Sequence, residues 1–299
     1  MKISFMLFLI VIITTTSAHT VSVNRQSNIT IDPPKTDVSI LPESIPPVFI
    51  DHIDSFPHYH QRSSAFGGFE YGGRVYCGPV SVSNSLIRMY NLGHRRILDS
   101  SNDPGLDQFR LIKLLGSPEY FNTGNTGTSP GAICTGLKRF FRDRQVENYE
   151  IKYQGWRSVP PEFIEKGDSG IPDLSTILHS LHETWGVIVN FGWYKYDEEN
   201  DVYTRNGGHW VTLTGYGHDS KEKNSSSLIF RDPARRNKMN SYINIRRINS
   251  GTLAGDFNGL PHSAEGFYIF RHSRYRFGII DGAVMFRLAL PHTEQMAAK

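Results

Sequence analysis

The chain has 299 residues and a formal net charge of only +3 at pH 7, and its basic residues come in short scattered clusters. No long basic stripe could follow a phosphate backbone, so the composition argues against a nucleic-acid-binding protein. Aromatic residues make up 12% of the chain and hydrophobic residues 38%, which is enough to bury a core and excludes a disordered chain. The length would allow two average domains, and we expect one large domain with surface insertions.

The first residues have the layout of a secretory signal peptide. Lys2 precedes an apolar run over residues 3–13, and small residues follow up to Ala18. The run is too short to span a bilayer as a mature helix, so we expect a signal peptide over residues 1–18 that is cleaved near Ala18. The mature protein would then be secreted or periplasmic, with no stable membrane insertion. A signal anchor left in place is the alternative.

Residues 19–47 are rich in Ser, Thr, Pro and Asn and have weak apolar periodicity, which indicates an extended arm or a propeptide. We expect one globular domain over residues 48–299. Its apolar spacing changes near Trp185 from a helical period to short strand-like runs, and helices followed by antiparallel strands indicate an α+β fold. The predicted helices are 80–92, 106–115, 130–144 and 173–184, and the predicted strands are 187–189, 209–216, 228–230, 241–248, 266–270 and 277–290.

Two patterns that could bind a ligand lack the residues that binding would require. The loop over residues 122–128 contains Gly-x-x-Gly, but it has neither the preceding strand nor the following Lys-Ser/Thr pair of a phosphate-binding loop. His58 and His60 have a His-x-His spacing without a further ligand cluster, so we expect no zinc site. We therefore expect no cofactor and no metal.

Cys77 is the candidate nucleophile. It precedes Gly78-Pro79 at the predicted start of a helix, where the partial positive charge of the helix N-terminus lowers the pKa of a thiol. His209 follows 132 positions later, within the ~130 to 150 residues that separate nucleophile and base in papain-type enzymes. Asp232 ends the next predicted strand, so its carboxylate can reach the His209 ring across neighbouring strands and fix the tautomer of that ring.

Each of these residues also has an ordinary structural interpretation. Cys77 and Cys134 are the two cysteines of the chain, and in an oxidising compartment such a pair usually forms a disulfide. Cys77 could also be an inert buried thiol, and His209 a hydrogen-bonded core histidine. Asp232 could simply form a turn before Pro233. The residues alone leave these alternatives open.

The segments around the three candidates form a specific combination. They read YCGPVSV at residues 76–82, GGHWVTLTGY at residues 207–216 and FRDPA at residues 230–234. Together they resemble the bacteriocin-processing, double-glycine-type cysteine peptidases and their stand-alone relatives, and the resemblance extends loosely over residues 48–234. It implies a papain-like cysteine peptidase fold, with a helical N-terminal half packed on an antiparallel sheet that carries the His and the Asp.

The resemblance also implies roles for individual residues. Cys77 would be the nucleophile, His209 the general base and Asp232 the acid that orients the histidine. The family places a glutamine shortly before the cysteine as an oxyanion-hole donor. Gln61 is the nearest upstream candidate, although its distance of 16 positions from Cys77 is longer than the usual gap in the family.

By this resemblance we expect a secreted, monomeric cysteine peptidase that hydrolyses peptide or isopeptide bonds of a peptide or protein substrate through a thioester acyl-enzyme. A similar order of Cys, His and Asp occurs in phytochelatin synthase, which transfers an acyl group to another peptide, so transpeptidase or amidase activity on the same triad stays open. Leader processing is not implied, because the sequence contains no transporter-like membrane span or nucleotide-binding motif. A catalytically silent papain-like protein that binds peptides is the alternative from another functional class.

Overall fold

Helices occupy the first half of the described chain and strands dominate the second half, so the fold is α+β as predicted. The computed structural model describes residues 36–37, 49–50, 56–182, 185–217, 227–237, 241–255, 261–273 and 276–289. The predicted signal peptide over residues 1–18 lies outside the described residues, as does most of the predicted arm over residues 19–47. Two residues of that arm, Thr36–Asp37, form a short strand, β1.

The four helices of the described residues begin close to their predicted starts, and none of them is long and apolar enough to cross a membrane. Side-chain caps explain the starts of α2 and α3, because Asp103 and Ser129 accept hydrogen bonds from main-chain N–H groups of the first turn. Gly93 follows α1 with a φ of 110°, a left-handed conformation that ends the helix. The helices are α1 Cys77–Asn91, α2 Pro104–Gly116, α3 Pro130–Asp143 and α4 Leu174–His182.

A twelve-stranded sheet forms the rest of the described structure, and a long hairpin of β4 and β5 lies at its centre. All the described pairings are antiparallel except that of β9 with β5. Strand β12 pairs with β4 on one side of the hairpin, and β6 pairs with β5 on the other. Besides β1, the strands are β2 Phe49–Ile50, β3 Tyr149–Gly155, β4 Gly186–Asp197, β5 Val202–Gly217, β6 Ser227–Arg231, β7 Ser241–Asn244, β8 Arg246–Ile248, β9 Thr252–Gly255, β10 His262–Ser263, β11 Tyr268–Ser273 and β12 Arg276–Leu288.

The strand predicted over residues 209–216 is in fact longer and begins at Val202. The predicted strand began after Gly207 and Gly208, and glycine weakens strands. In the structure both lie inside β5, and Gly208 pairs with Gly192 of β4. Pairing with β4 thus outweighs the low strand propensity of Gly208.

Both faces of the central strands are buried. Along β4, Ile188 packs with α1 and α3, whereas its neighbours Val187 and Val189 pack with α4. Successive side chains of a strand point to opposite faces, so helices must cover the sheet on both sides. This arrangement explains why residues 187–189 form a continuous apolar run instead of an alternating one. It also brings the first residue of α1 against the middle of β5.

Gly136 offers a test of how closely α3 must pack. A methyl group there would overlap Phe121 and the main chain of Tyr120, so Gly136→Ala should reduce the free energy of unfolding by ~1–3 kcal/mol through overpacking. Gly131 lies in the same helix with only ordinary contacts around an added methyl group, and Gly131→Ala should be neutral or stabilising by up to ~1 kcal/mol. Urea unfolding of both variants checks this difference, and equal stabilities would contradict the packing described here.

Candidate active site

Cys77 is the first residue of α1, and its thiol lies against the side chain of His209 and the main chain of Trp210 on β5. The His209 side chain and the main-chain N–H groups of Gly78 and Trp210 all act to lower the pKa of the thiol. Only 8% of Cys77 is exposed, so these partners form most of its polar surroundings. The helix N-terminus adds a partial positive charge at the same point.

His209 is held on its other side by Asp232. The distance from His209 Nε2 to Asp232 Oδ1 is 2.7 Å, so Nδ1 is the ring nitrogen that remains for Cys77. The antiparallel pairing of β5 with β6 explains this contact, because Asp232 directly follows β6 and lies beside the histidine on the neighbouring strand. The same carboxylate oxygen accepts the main-chain N–H of Ala234 at 2.8 Å, which fixes the acid in its turn.

The electrostatics of the three groups favour a thiolate paired with an imidazolium. Burial raises the pKa of the Cys77 thiol, but the hydrogen bond and charge of His209 and the two main-chain N–H groups outweigh burial and lower that pKa overall. Burial lowers the pKa of His209, but its hydrogen bonds to Asp232 and Cys77 raise that pKa well above its ordinary value. The pKa of Asp232 is lowered because the contact with His209 outweighs burial. Each charge therefore stabilises the next one.

Buried polar contacts fix α1 against β5, and with them the thiol against the imidazole. The Ser81 hydroxyl donates to the Trp210 carbonyl at 3.0 Å, and the Thr212 hydroxyl donates to the Ser81 carbonyl at 2.9 Å. One turn further along the helix, the Asn84 amide donates to the Thr212 hydroxyl at 3.0 Å and accepts from Gln108 of α2 at 2.8 Å. Sliding the helix along the strand would leave these buried groups without partners.

An aromatic side chain that the sequence did not single out covers the histidine. Trp193 of β4 stacks on the His209 ring, with ring planes 18° apart and centroids 6.3 Å apart. On its other side Trp193 contacts His272 at a centroid distance of 4.4 Å. The indole shields the histidine from water, which strengthens the hydrogen bond between His209 and Asp232.

Gln61 is buried, but the oxyanion role expected for it finds no support in this geometry. Its Nε2 donates to the carbonyl oxygens of Gly73 and Arg74, each at 3.0 Å, and these two bonds use both amide hydrogens. Its main-chain N–H donates to the Pro233 carbonyl at 2.9 Å. Gln61 thus joins the loop before Cys77 to the turn after Asp232. It bridges these two segments from a position 16 residues before Cys77 in the chain.

A cavity of about 320 Å³ opens beside Cys77. The loop over residues 122–128, which does not have the features of a phosphate-binding loop, forms one wall, and Gly207 and Gly208 lie on the other. The Trp210 indole N–H donates to the Thr128 carbonyl at 2.9 Å, so the loop is anchored to the strand that carries the histidine. The volume suits a side chain or a short stretch of peptide.

The two glycines before His209 differ in the space that surrounds them. A methyl group on Gly208 would overlap the guanidinium of Arg205 and contact the Phe191 carbonyl closely. The space at Gly208 is therefore filled by Arg205, a residue of the same strand. At Gly207 an added methyl group would meet only Trp193, at 3.6 Å.

A scan against protein-family models and a search of curated proteins give no match for this chain. The described residues also contain no group of His, Cys, Asp and Glu side chains that could hold a metal ion. His58 Nε2 donates to the Arg235 carbonyl at 2.8 Å, which places it against the turn after Asp232. The chemistry of the site must accordingly be argued from its own side chains.

Sequence reasoning missed four residues around the triad candidates: Trp193, Asn190, Arg157 and Arg205. The hairpin turn at residues 198–201 supplied a signal for the first two, because counting back from it sets β4 opposite β5 and Phe191 opposite Gly208. A register shift between Gly192 and Tyr194 moves this pairing by one residue, so that Phe191 lies across from His209. Arg157 follows β3, whose place in the sheet depends on pairing with β12 far along the chain. No local pattern could have located it.

Cys77 and Cys134 are both free thiols, and we expect them to differ in reactivity. Burial raises the pKa of Cys134 well above its ordinary value, whereas that of Cys77 is lowered. Iodoacetamide without reductant should therefore add one label, on Cys77, because the thiolate is the nucleophile. Intact mass followed by peptide mapping checks this. A disulfide between the two cysteines, or labelling of Cys134 first, would contradict the geometry.

His209→Ala should shift the labelling of Cys77 to higher pH. The wild-type thiol has a lowered pKa, so its thiolate persists below the ordinary ~8.5 and is lost only as the pH falls through the lowered value. Without the imidazolium, burial dominates and the pKa rises. Rates of alkylation measured across pH give the two midpoints, with the exposed His179→Ala on α4 as the matched control. An unchanged midpoint in His209→Ala would show that the histidine does not set the thiol pKa.

Proposed function

We propose that this protein is a papain-like cysteine hydrolase that cleaves peptide or isopeptide bonds with Cys77, His209 and Asp232. The observation that carries the proposal is the hydrogen bond between the His209 imidazole and the Asp232 carboxylate, together with the position of the same imidazole beside a thiol whose pKa it lowers. Any polar partner would satisfy the ring nitrogens of a core histidine. The ring of His209 instead lies between a thiol whose pKa is lowered and a carboxylate. That combination is the arrangement required for nucleophilic acyl transfer.

The reaction follows from the charges of the three groups. The Cys77 thiolate attacks the carbonyl carbon of the substrate, and the His209 imidazolium then gives its proton to the nitrogen of the leaving amine. The C–N bond breaks and a thioester on Cys77 remains. Neutral His209 next takes a proton from water, which attacks the thioester and releases the acid and the thiol. Asp232 holds the ring in one orientation through both steps.

The start of α1 suits the negative charge that develops on the carbonyl oxygen. The first N–H groups of a helix point towards a group bound at its N-terminus. In α1, Pro79 has no N–H and the Val80 N–H donates to the Tyr76 carbonyl, so the main-chain N–H groups of Cys77 and Gly78 are the donors next to an acyl group on the sulfur. This source of stabilisation takes the role that the sequence had suggested for Gln61.

The arrangement of the elements supports the papain-like part of the proposal. A helix presents the nucleophile at its N-terminus, and an antiparallel sheet presents the histidine and the acid on adjacent strands. The buried contacts from Ser81 and Asn84 hold these two halves together. The cavity beside Cys77 gives a peptide carbonyl access to the sulfur.

Variants of the triad candidates test the proposal. Asp232→Ala should lower kcat/KM on a fluorogenic peptide by about 10² to 10⁴, while Asp232→Asn should keep part of the activity because an amide oxygen can still orient the ring. Cys77→Ala should abolish both turnover and labelling by a thiol-directed probe. The exposed Asp143→Ala and the buried Cys134→Ala serve as matched controls that keep the triad intact.

Wild-type turnover in Asp232→Ala, with the variant folded by circular dichroism, would contradict the assignment of the acid. A wild-type protein whose Cys77 fails to react with the probe would favour a silent peptide-binding protein. Product analysis with an added amine separates hydrolysis from transfer, since a transpeptidase would pass the acyl group to the amine instead of water.

A further inference from the structure

The cavity beside Cys77 is positively charged. Arg157 and Arg205 both line it, and the described lining residues include no carboxylate. The remaining described lining residues are uncharged side chains and glycines around the nucleophile. A peptide that reaches the thiol must therefore pass two guanidinium groups.

Arg205 is held rigidly in place. It lies on β5 with 5% of its surface exposed, and its Nε donates to Asp281 Oδ2 at 2.7 Å. Asp281 is itself fully buried and accepts from the Tyr194 hydroxyl at 2.6 Å and from the Trp156 indole at 3.1 Å. These contacts fix the plane of the guanidinium, and Gly208 leaves the space it fills next to His209.

Arg157 is joined to the strand of the histidine through a buried amide. Its Nη1 donates to Asn190 Oδ1 at 3.3 Å, and the Asn190 amide donates to the His209 carbonyl at 3.3 Å. Burial lowers the pKa of the Arg157 guanidinium, and the positive charge of Arg205 lowers that pKa further. Two guanidinium groups thus lie close together in a partly buried space, and the buried Asp281 carboxylate offsets part of the repulsion between them.

A carboxylate is the group that this pair of guanidiniums recognises best. Guanidinium groups donate in a planar fork that matches two carboxylate oxygens, and such charge-assisted hydrogen bonds are stronger than neutral ones. Asp281 lies behind Arg205 and does not line the cavity, so it balances one charge without occupying the cavity.

We propose that the cavity is a subsite for a carboxylate of the substrate, next to the bond that Cys77 attacks. The inference rests on the proposed function and narrows it to peptides that carry a negative charge near the scissile bond. The carboxylate can come from an acidic side chain or from the free C-terminus of the peptide, and the chemistry of recognition is the same for both. The two sources are separated by experiment.

The first test compares substrates on the wild-type protein. A fluorogenic peptide is made in matched versions with Glu or Gln on either side of the scissile bond, and with a free C-terminal carboxylate or a C-terminal amide. The acidic version of at least one pair should have a kcat/KM at least about tenfold higher, because a hydrogen bond to a charged group contributes enough for a factor of this size. Equal values in all pairs would overturn the subsite.

The second test does not depend on turnover. Iodoacetate and iodoacetamide differ mainly in charge, so the ratio of their rates at Cys77 reports attraction of an anion to the site. Arg157→Gln should lower this ratio by about tenfold, and Arg157→Lys should retain part of it because a cation remains. The exposed Arg142→Gln on α3 is the matched control and should keep the wild-type ratio.

The two proposals fail in different ways. If Cys77 of the wild-type protein reacts with neither reagent faster than a free thiol, the proposed function is contradicted. If Cys77 reacts readily but Arg157→Gln keeps the wild-type ratio, the carboxylate subsite is wrong and the proposed function stands. Should Arg157→Gln not fold, the Glu and Gln peptides on the wild-type protein still decide the question.

Discussion

The structure depends on one constraint, which is the buried hydrogen bonding between α1 and β5. Cys77 lies on a helix and His209 on a strand 132 residues further along the chain, so their contact exists only if helix and strand are locked in register. Ser81 and Thr212 exchange hydrogen bonds with main-chain carbonyls of the opposite element, and Asn84 extends this network to α2. Because buried polar groups are costly without partners, few other registers are available. Strand β6 then delivers Asp232 at a fixed distance.

Two groups of charged residues lie close together around the hairpin of β4 and β5. One consists of Cys77, His209 and Asp232, in which a carboxylate stabilises an imidazolium and the imidazolium stabilises a thiolate. The other contains Arg205 with its buried partner Asp281. Asn190 lies between the two, because its amide donates to the carbonyl of the histidine while its oxygen accepts from an arginine of the cavity. The same strands thus position both His209 and the arginine that lines the cavity beside Cys77.

The sequence predicted the features that local physics controls. The helices begin close to their predicted starts, and the α+β class followed from the change of apolar period near Trp185. The contact between His209 and Asp232 was predictable because adjacent strands place their ends together. Long-range pairing limited the rest: an arginine of the same strand fills the space beside Gly208, and that arginine is oriented by Asp281 from β12. Gln61 was chosen because the resemblance calls for a glutamine before the cysteine, and its place in the sequence does not show which carbonyls its amide meets.

We infer that Cys77 and His209 form an ion pair at neutral pH, and an NMR titration of the His209 ring in labelled protein measures this directly. We expect an imidazolium that persists well above the pH at which an ordinary histidine loses its proton, because Asp232 and the thiolate raise the pKa of His209. In Cys77→Ser the thiolate is absent, so the pKa of His209 should fall. A wild-type His209 that is uncharged at neutral pH, or a His209 pKa that is the same in both proteins, would contradict the ion pair.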